Sequence, residues 1–345
     1  MSARHARRKR VLALSLVAVL LVGIAAAFAA KRWWDHALGP PDRSGAALVV
    51  EVPRGATFGA IAAQLEAAGA IRSARAFTWL ARLEKKDGSL HAGEYEIAAG
   101  MPAREVLALL VEGRVRLHAV AIPEGLRIEE IAQRVAEAGF GSTEEFVALA
   151  RDPAFTKKHG VPGATLEGYL FPETYRFERG AGAREVITAQ LAQFERAWSE
   201  LAPLARARGL GKREVVILAS LIEKETGAAE ERPLISAVFH NRIAKGIRLE
   251  TDPAVIYGIA NFDGNLTRAH LEDGGNPYNT YRIAGLPPGP IANPGAASLR
   301  AAVSPAPGVD YLYFVSRGDG THVFTTSYRD HVNAVNRFQR RGGRR

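Results

Sequence analysis

The chain has no cysteine among its 345 residues, which removes disulfides, thiolate metal sites and thiol nucleophiles together. That absence suits an oxidising compartment. Other signatures are missing too: there is no His-Glu-x-x-His and no Gly-x-Ser-x-Gly, and Gly209-Leu-Gly-Lys212 has neither the spacing nor the Ser or Thr of a phosphate loop. The nine histidines are scattered without paired spacing, so neither a metal nor a cofactor is expected. A basic body is lacking as well. The net charge is +9, but Met1–Arg10 and Arg337–Arg345 each hold five basic residues and no acid, which leaves the rest at −1. Such a body offers no stripe that would neutralise phosphates, so nucleic acid is not an expected partner. The terminal charges read as topology and solubility devices.

Charge is absent altogether from Val11 to Ala30. Twenty residues make a helix of about 30 Å, the thickness of a bilayer's hydrocarbon core. The basic arm over residues 1–10 favours the cytoplasmic side, and Trp33 and Trp34 are aromatic anchors for the far interface. A cleaved signal peptide is the competing reading, since Ala27-Phe28-Ala29-Ala30 ends in small residues. Residues 31–46, with Gly39-Pro40-Pro41-Asp42, read as a linker.

The remaining length suffices for two folded units. Aligned with itself at an offset of 70, the chain pairs Val50-Glu-Val-Pro-Arg-Gly with Val120-Ala-Ile-Pro-Glu-Gly, and Ile61-Ala62 with Ile131-Ala132. Each copy predicts a strand, a Pro-x-Gly turn and a helix ending at glycine, Gly69 or Gly139. A second helix follows in each, over residues 73–85 and 142–151, opened by Ser73 or Ser142 as N-cap. In the first copy, Pro53-Arg-Gly-Ala-Thr-Phe-Gly-Ala-Ile-Ala loosely resembles the LysM glycan-binding module.

From Gly163 onward polar and aromatic residues crowd into loops: Leu166–Tyr175, Ile217–Gly227, and Asn276–Tyr281 followed by Gly285–Pro294. Lys212–Thr226 has no internal Gly or Pro and stops at Gly227, so it reads as a helix with a glycine terminator. At 100° per residue Glu225 falls inside the apolar arc, between Leu218 and Leu221, while Glu223 and Lys224 fall on the polar side. Desolvation and the negative end of the helix dipole would both raise the pKa of Glu225 and poise it to donate a proton. Alternatively it reaches around the helix end to solvent, or pairs with Arg232 or Arg242.

In order along the chain come Glu223-Lys-Glu-Thr226, Glu231-Arg232, Val238-Phe-His-Asn-Arg242, Leu249-Glu-Thr-Asp-Pro253, Tyr278-Asn-Thr-Tyr281, Gly285-Leu-Pro-Pro-Gly289 and Tyr311-Leu-Tyr-Phe-Val315. With these motifs the chain resembles the MltG-type, YceG-like endolytic murein transglycosylases over essentially its whole length. His240 stands where that pattern has an apolar residue. The resemblance implies that Glu225, directly before Thr226, is the catalytic acid and base. It implies peptidoglycan glycan strands as substrate and peptidoglycan synthases as neighbours. The enzyme would sit in the cell inner membrane by a single pass, its N-terminus cytoplasmic and its catalytic domain periplasmic. A lytic transglycosylase needs one acid, because the nucleophile is the substrate's own 6-hydroxyl.

The expected fold is α+β: a transmembrane helix over 11–30, a LysM-like module over 47–118, a second strand-helix repeat over 119–160, a mixed α+β catalytic domain over 161–339 and a basic tail over 340–345. Tyr278, Asn279, Thr280 and Tyr281 have the types that hold a distorted sugar. Tyr175, Thr226 and Asn293 are further candidates for binding substrate. Glu167 and Glu173 are candidate groove residues and candidate second carboxylates, which would restore ordinary hydrolysis. Asp252 reads as part of an N-cap, Asn241 and Arg242 as buttresses, and Arg317-Gly-Asp-Gly320 as a hairpin turn. A non-catalytic glycan-binding scaffold is the remaining alternative.

Overall fold

The structure, a computed structural model, describes residues 2–42 and 45–340; Met1, two residues of the expected linker and the basic tail beyond residue 340 lie outside the described residues. The chain divides into two compact units, Met1–His118 and Ala119–Arg345.

The first unit opens with an unbroken helix, α1 (Ser2–Leu38). Its stretch Leu12–Leu38 is long and apolar enough to cross a membrane, and its large apolar side chains from Leu12 to Phe28 are exposed. The expected linker does not start at residue 31. The helix continues to Leu38 because Trp34 and Leu38 pack on the core of the unit and Ala37 is buried. Arg72 secures its end, with Nη1 2.9 Å from His36 Nε2, and hydrogen bonds of 2.5 Å donated to the Pro40 carbonyl and the Asp42 carboxylate.

Beyond it come β1 (Leu48–Val52), α2 (Phe58–Ala67), α3 (Ala74–Leu83), β2 (Gly93–Ile97) and α4 (Ala103–Val111). Alternation along β1 turns Val50 and Val52 inward. β1 and β2 pair antiparallel, Leu48 opposite Ile97 and Val52 opposite Gly93. At Gly93 φ is +147°, and a Cβ would sit 2.5 Å from Val115 Cγ1, so glycine is required there. Thr57 caps α2 and Ser73 caps α3, each hydroxyl accepting a backbone N–H three residues on, worth about 1 kcal/mol apiece. Ile61, Leu65, Phe77, Leu80, Tyr95, Ile97 and Leu107 fill the core.

The second unit is entered through β3 (Leu117–Ala121), α5 (Ile128–Glu137) and α6 (Thr143–Ala150). The repeat is visible here: α5 lies 70 residues beyond α2 at both ends. The paired turn glycines, Gly55 with Gly125 and Gly69 with Gly139, all have positive φ. Ser142 caps α6 as Ser73 caps α3. Then follow α7 (Pro153–Lys158), β4 (Thr174–Glu178), α8 (Ala183–Ala207), α9 (Lys212–Glu225), α10 (Arg232–Ala244), α11 (Asp252–Tyr257), α12 (Arg268–Glu272), α13 (Ala296–Val303), β5 (Tyr313–Ser316), β6 (His322–Thr325) and α14 (Tyr328–Val335). β3 pairs with β4, and β5 with β6 in the expected hairpin, Tyr313 opposite Thr325 and Ser316 opposite His322.

Helix α9 is the axis of this unit. Every residue from Val215 to Ile222 is buried, against α8, α10, α11 and α13. This middle stretch is apolar on every side but for Ser220, as a helix segment inside a core tends to be. The Glu214 carboxylate at its N-terminus accepts the Gly211 N–H at 2.7 Å. At the other end Gly227 does not act through a left-handed φ, since it is not among the positive-φ glycines. It is needed because the Gly320 carbonyl of the hairpin turn occupies the place of its Cβ.

Candidate active site

The C-terminal end of α9 opens onto a cleft of about 460 Å³ lined by Glu225, Arg242, Asp252, Tyr281, Phe314 and His331, among others. Each comes from a different element. Asp252 is the first residue of α11, placed by Thr251, whose hydroxyl caps that helix. Tyr281 ends the Asn276–Tyr281 loop, and its hydroxyl donates to Asp252 Oδ1 at 2.8 Å. The cleft wall from β5 holds Phe314, Val315 and Ser316, and His322 joins from β6. His322 is held by Glu231, which accepts its backbone N–H at 3.0 Å and meets Nδ1 at 2.7 Å.

Arg242 both buttresses and lines the cleft. It donates to the carbonyls of Leu312 at 2.6 Å, Arg248 at 2.7 Å and Leu249 at 3.0 Å, and to Glu250 Oε2 at 3.1 Å. Its guanidinium lies 5.0 Å from the Tyr313 ring centre. These bonds hold Glu250 at φ +54°, a left-handed conformation that non-glycine residues adopt at a cost and that clusters at functional sites.

Glu225 is chemically the most exceptional group in the cleft. Among the described residues no hydrogen bond or ion pair reaches its carboxyl, and neither Arg232 nor Arg242 pairs with it. Burial pushes its pKa up to about 8, and the neighbouring Asp252 carboxylate adds to the rise. A carboxyl in that state is protonated at neutral pH and able to donate.

The other expected site residues do not gather around it. Glu167 was expected in a saccharide groove, but it is 3% exposed and does not line the cleft. Its oxygens accept from Asn293 Nδ2 at 2.7 Å, the Tyr257 hydroxyl at 3.2 Å and the Ile128 N–H at 3.4 Å. Asn293 is equally buried, and it also donates to the Leu126 carbonyl and accepts from the Leu170 N–H. Asn279 and Thr280 are fully buried too. The Asn279 amide caps the carbonyls of His270, Leu271 and Asp273, and the Thr280 hydroxyl exchanges hydrogen bonds with the Thr251 backbone. Their polarity is spent on backbone. Tyr278 packs against Tyr257 with the rings tilted by 59° and their centres 4.8 Å apart, and the Tyr175 hydroxyl donates to the Phe171 carbonyl at 2.8 Å. Glu173 is exposed outside the cleft. The Thr226 hydroxyl bonds back to the Ile222 carbonyl at 2.6 Å, closing α9 beside Glu225. Of the expected set, Glu225 and Tyr281 line the cleft.

Glu223 also departs from expectation. Its side chain is 8% exposed, accepting the Gly295 N–H at 3.0 Å and facing Arg232 at 3.6 Å. Asp252 and Arg242 are cleft residues that the sequence suggested only as supports. The signal that would have found them is their place in two of the motifs: Asp252 next to a helix cap, Arg242 at the end of α10. His240 is accommodated, with Nε2 2.8 Å from the Ala302 carbonyl.

The family model for the YceG-like family matches residues 50–337, from β1 to the end of the described fold. The chain belongs to the YceG-like family. A relative from Bacillus subtilis (strain 168), named endolytic murein transglycosylase, is 30% identical over 305 residues and shares 84% of each chain. One of the same name from Streptococcus pneumoniae serotype 2 is 29% identical, the match covering 84% of this chain and 58% of that one. The crystal structure of a YceG-like protein from Listeria monocytogenes superposes with a TM-score of 0.59 at 29% identity, over 84% of this chain and 99% of that one.

Proposed function

We propose that this YceG-like chain is a membrane-anchored lytic transglycosylase that cuts within peptidoglycan glycan strands, with Glu225 as its acid and base. The observation that carries the reading is the Glu225 carboxyl, at the C-terminal end of α9, without a partner among the described residues and lining an open cleft; burial, which raises its pKa, suits it to donate a proton. The names of the Bacillus and Streptococcus relatives support the reaction class.

In the proposed reaction Glu225 gives its proton to the glycosidic oxygen as the bond from the anomeric carbon of N-acetylmuramic acid to that oxygen breaks. The 6-hydroxyl of the same sugar closes onto the anomeric carbon and returns its proton to Glu225. Atoms and charges balance, and no water is consumed. Positive charge at the anomeric carbon is compensated by acidic side chains nearby. Asp252 and Glu250 line the same cleft, held by Tyr281 and Arg242. The second carboxylate required for hydrolysis is not supplied by Glu167 or Glu173, one committed to three hydrogen bonds and the other outside the cleft.

The first unit serves in this reading as a LysM-like glycan holder, through a hollow of about 150 Å³ between the β1–α2 turn at Pro53 and Gly55 and the loop at Asp87 and Gly88. Helix α1 anchors the enzyme in the cell inner membrane with the cleft outside, beside the synthases whose strands it ends. The test is mass spectrometry of fragments released from purified peptidoglycan by the full chain and by its Glu225→Gln variant. Internal fragments with 1,6-anhydro ends, absent with the variant, are expected. Reducing ends would make the protein a hydrolase, and release of nothing by either protein would leave the scaffold.

A further inference from the structure

Helix α3 carries an outer face that the fold of the first unit does not use. Its inner face, Ala76, Phe77, Leu80 and Ala81, is buried, while Arg75, Trp79 and Leu83, four residues apart, form a stripe on the opposite side. Trp79 is 53% exposed and Leu83 67% exposed. A large indole and a leucine left out of the core in line with a cation do nothing for the stability of the module. What lies beside them gives the clue. Trp33 and Trp34 of α1 share one hollow with Arg75 and Trp79, and Trp33 is itself 50% exposed.

The length of α1 fixes where that hollow stands. If the uncharged stretch from Val11 to Ala30 fills a hydrocarbon core of about 30 Å, the next five or so residues cross the headgroup layer, which is about 5–7 Å deep. Trp33 and Trp34 fall in that layer, and so does whatever α1 touches there. The joint is firm, through Trp34 and Leu38 on the core and Arg72 on the helix end. The membrane interface is where indole rings and snorkelling arginines are favoured together.

We propose that α3 seats the first unit on the bilayer surface, with Trp33, Trp79 and Leu83 in the interface and Arg75 on a phospholipid phosphate. The occupant of the hollow is lipid. The inference rests on the anchor reading of α1 and extends it: the module lies against the membrane instead of hanging from a flexible tether. A glycan held by the module would then be held close to the membrane, where nascent strands emerge.

The absence of cysteine makes the test direct. The full chain carrying Leu83→Cys, labelled with an environment-sensitive dye, is placed in vesicles of phosphatidylcholine with a minority of phosphatidylglycerol. Lipids brominated near the headgroup end of the acyl chain should quench the dye and its emission should be blue-shifted. Arg75→Gln should lower the ratio of seated to unseated module by roughly fivefold, the weight of one basic residue at an anionic surface, and adding Trp79→Ser should lower it further. A dye at Leu20→Cys, quenched by lipids brominated deep in the chain, checks the anchor separately. If Leu20 is quenched while Leu83 stays in water, the seat is wrong and the anchor stands; if Leu20 is not quenched, the anchor itself fails. A dye at Leu83 that is dry in native membranes but wet in pure lipid vesicles would assign the face to a protein and overturn the proposal.

Discussion

Two carboxyls of the second unit have been driven to the same pKa, about 8, by the same cause, burial. Glu167 sits in a closed cluster where Asn293, Tyr257 and the Ile128 N–H all reach its oxygens. Glu225 sits at the end of α9 with no partner among the described residues and an open cleft before it. The perturbed pKa is therefore a poor sign of function by itself, because structural clusters perturb pKa values too. What separates the two is whether the hydrogen-bonding capacity is already used. In Glu167 it is consumed by the fold; in Glu225 it is held open for something that arrives.

The sharpest way to break this comparison is to neutralise each carboxyl without changing its shape. Glu225→Gln should reduce strand cleavage by roughly 10²–10⁴-fold, the usual contribution of a general acid and base, with the protein still folded. Glu167→Gln should leave cleavage per folded molecule nearly intact. Equal loss in both would mean that the buried cluster takes part in the chemistry. The reverse contrast is expected in stability. Glu167→Ala leaves one N–H of the Asn293 amide, the Tyr257 hydroxyl and a backbone N–H without their acceptor, at about 1–3 kcal/mol for each buried group stranded. Denaturant unfolding should show a loss of several kcal/mol, against a change near zero for Glu225→Gln below about pH 4.5.

The sequence carried the distinction only in part. Periodicity and glycine placement were enough for the repeat, for both serine caps, and for Glu225 on the inner arc of α9, because each depends on local geometry that the chain itself sets. The loop residues were not legible in the same way. Asn279, Thr280 and Asn293 have the hydrogen-bonding types of a sugar site, and those same types bind backbone carbonyls when a Pro- and Gly-rich loop must be closed. Only the fold decides which partner they meet. The helical wheel puts Glu223 on the polar side but knows nothing of Arg232, which faces it from the next helix. Gly227 looked like a left-handed terminator, and it is instead a close approach to Gly320 from nearly a hundred residues away. Asp252 was read as part of a cap, which was correct for its neighbour Thr251 and left its own carboxylate unexplained.

The pH dependence of stability sharpens the comparison less forcefully. For both acids the folded chain keeps its proton up to about 8, whereas the unfolded chain releases it near the ordinary 4.5. Between those values the folded state binds more protons, so each acid's contribution is complete below about 4.5 and is lost as pH rises through about 8. The wild type should therefore lose stability on the alkaline side. Glu225→Gln, with nothing to ionise, should lose less and become the more stable protein as pH rises from about 4.5 through about 8, as thermal unfolding across pH would show. A mutant that is inactive and yet more stable in alkali would mark the carboxyl as one kept at the expense of the fold.

The smallest expected effect concerns the neighbour that helps keep Glu225 protonated. Asp252 raises the Glu225 pKa by its charge, after burial has done most of the work, and the Tyr281 hydroxyl donates to it in the same cleft. Asp252→Asn removes the charge, and the amide oxygen can still accept from Tyr281. With the like charge gone, ionisation of Glu225 is easier and its pKa falls. Cleavage that needs the protonated acid should then decline at lower pH than in the wild type, so the alkaline limb of the rate profile moves down while the shape of the cleft is kept. Tyr281→Phe, which leaves Asp252 charged, should not move that limb down. If the profile of Asp252→Asn matches the wild type, the two carboxylates do not sense each other, and burial alone accounts for the difference between Glu225 and an ordinary surface acid.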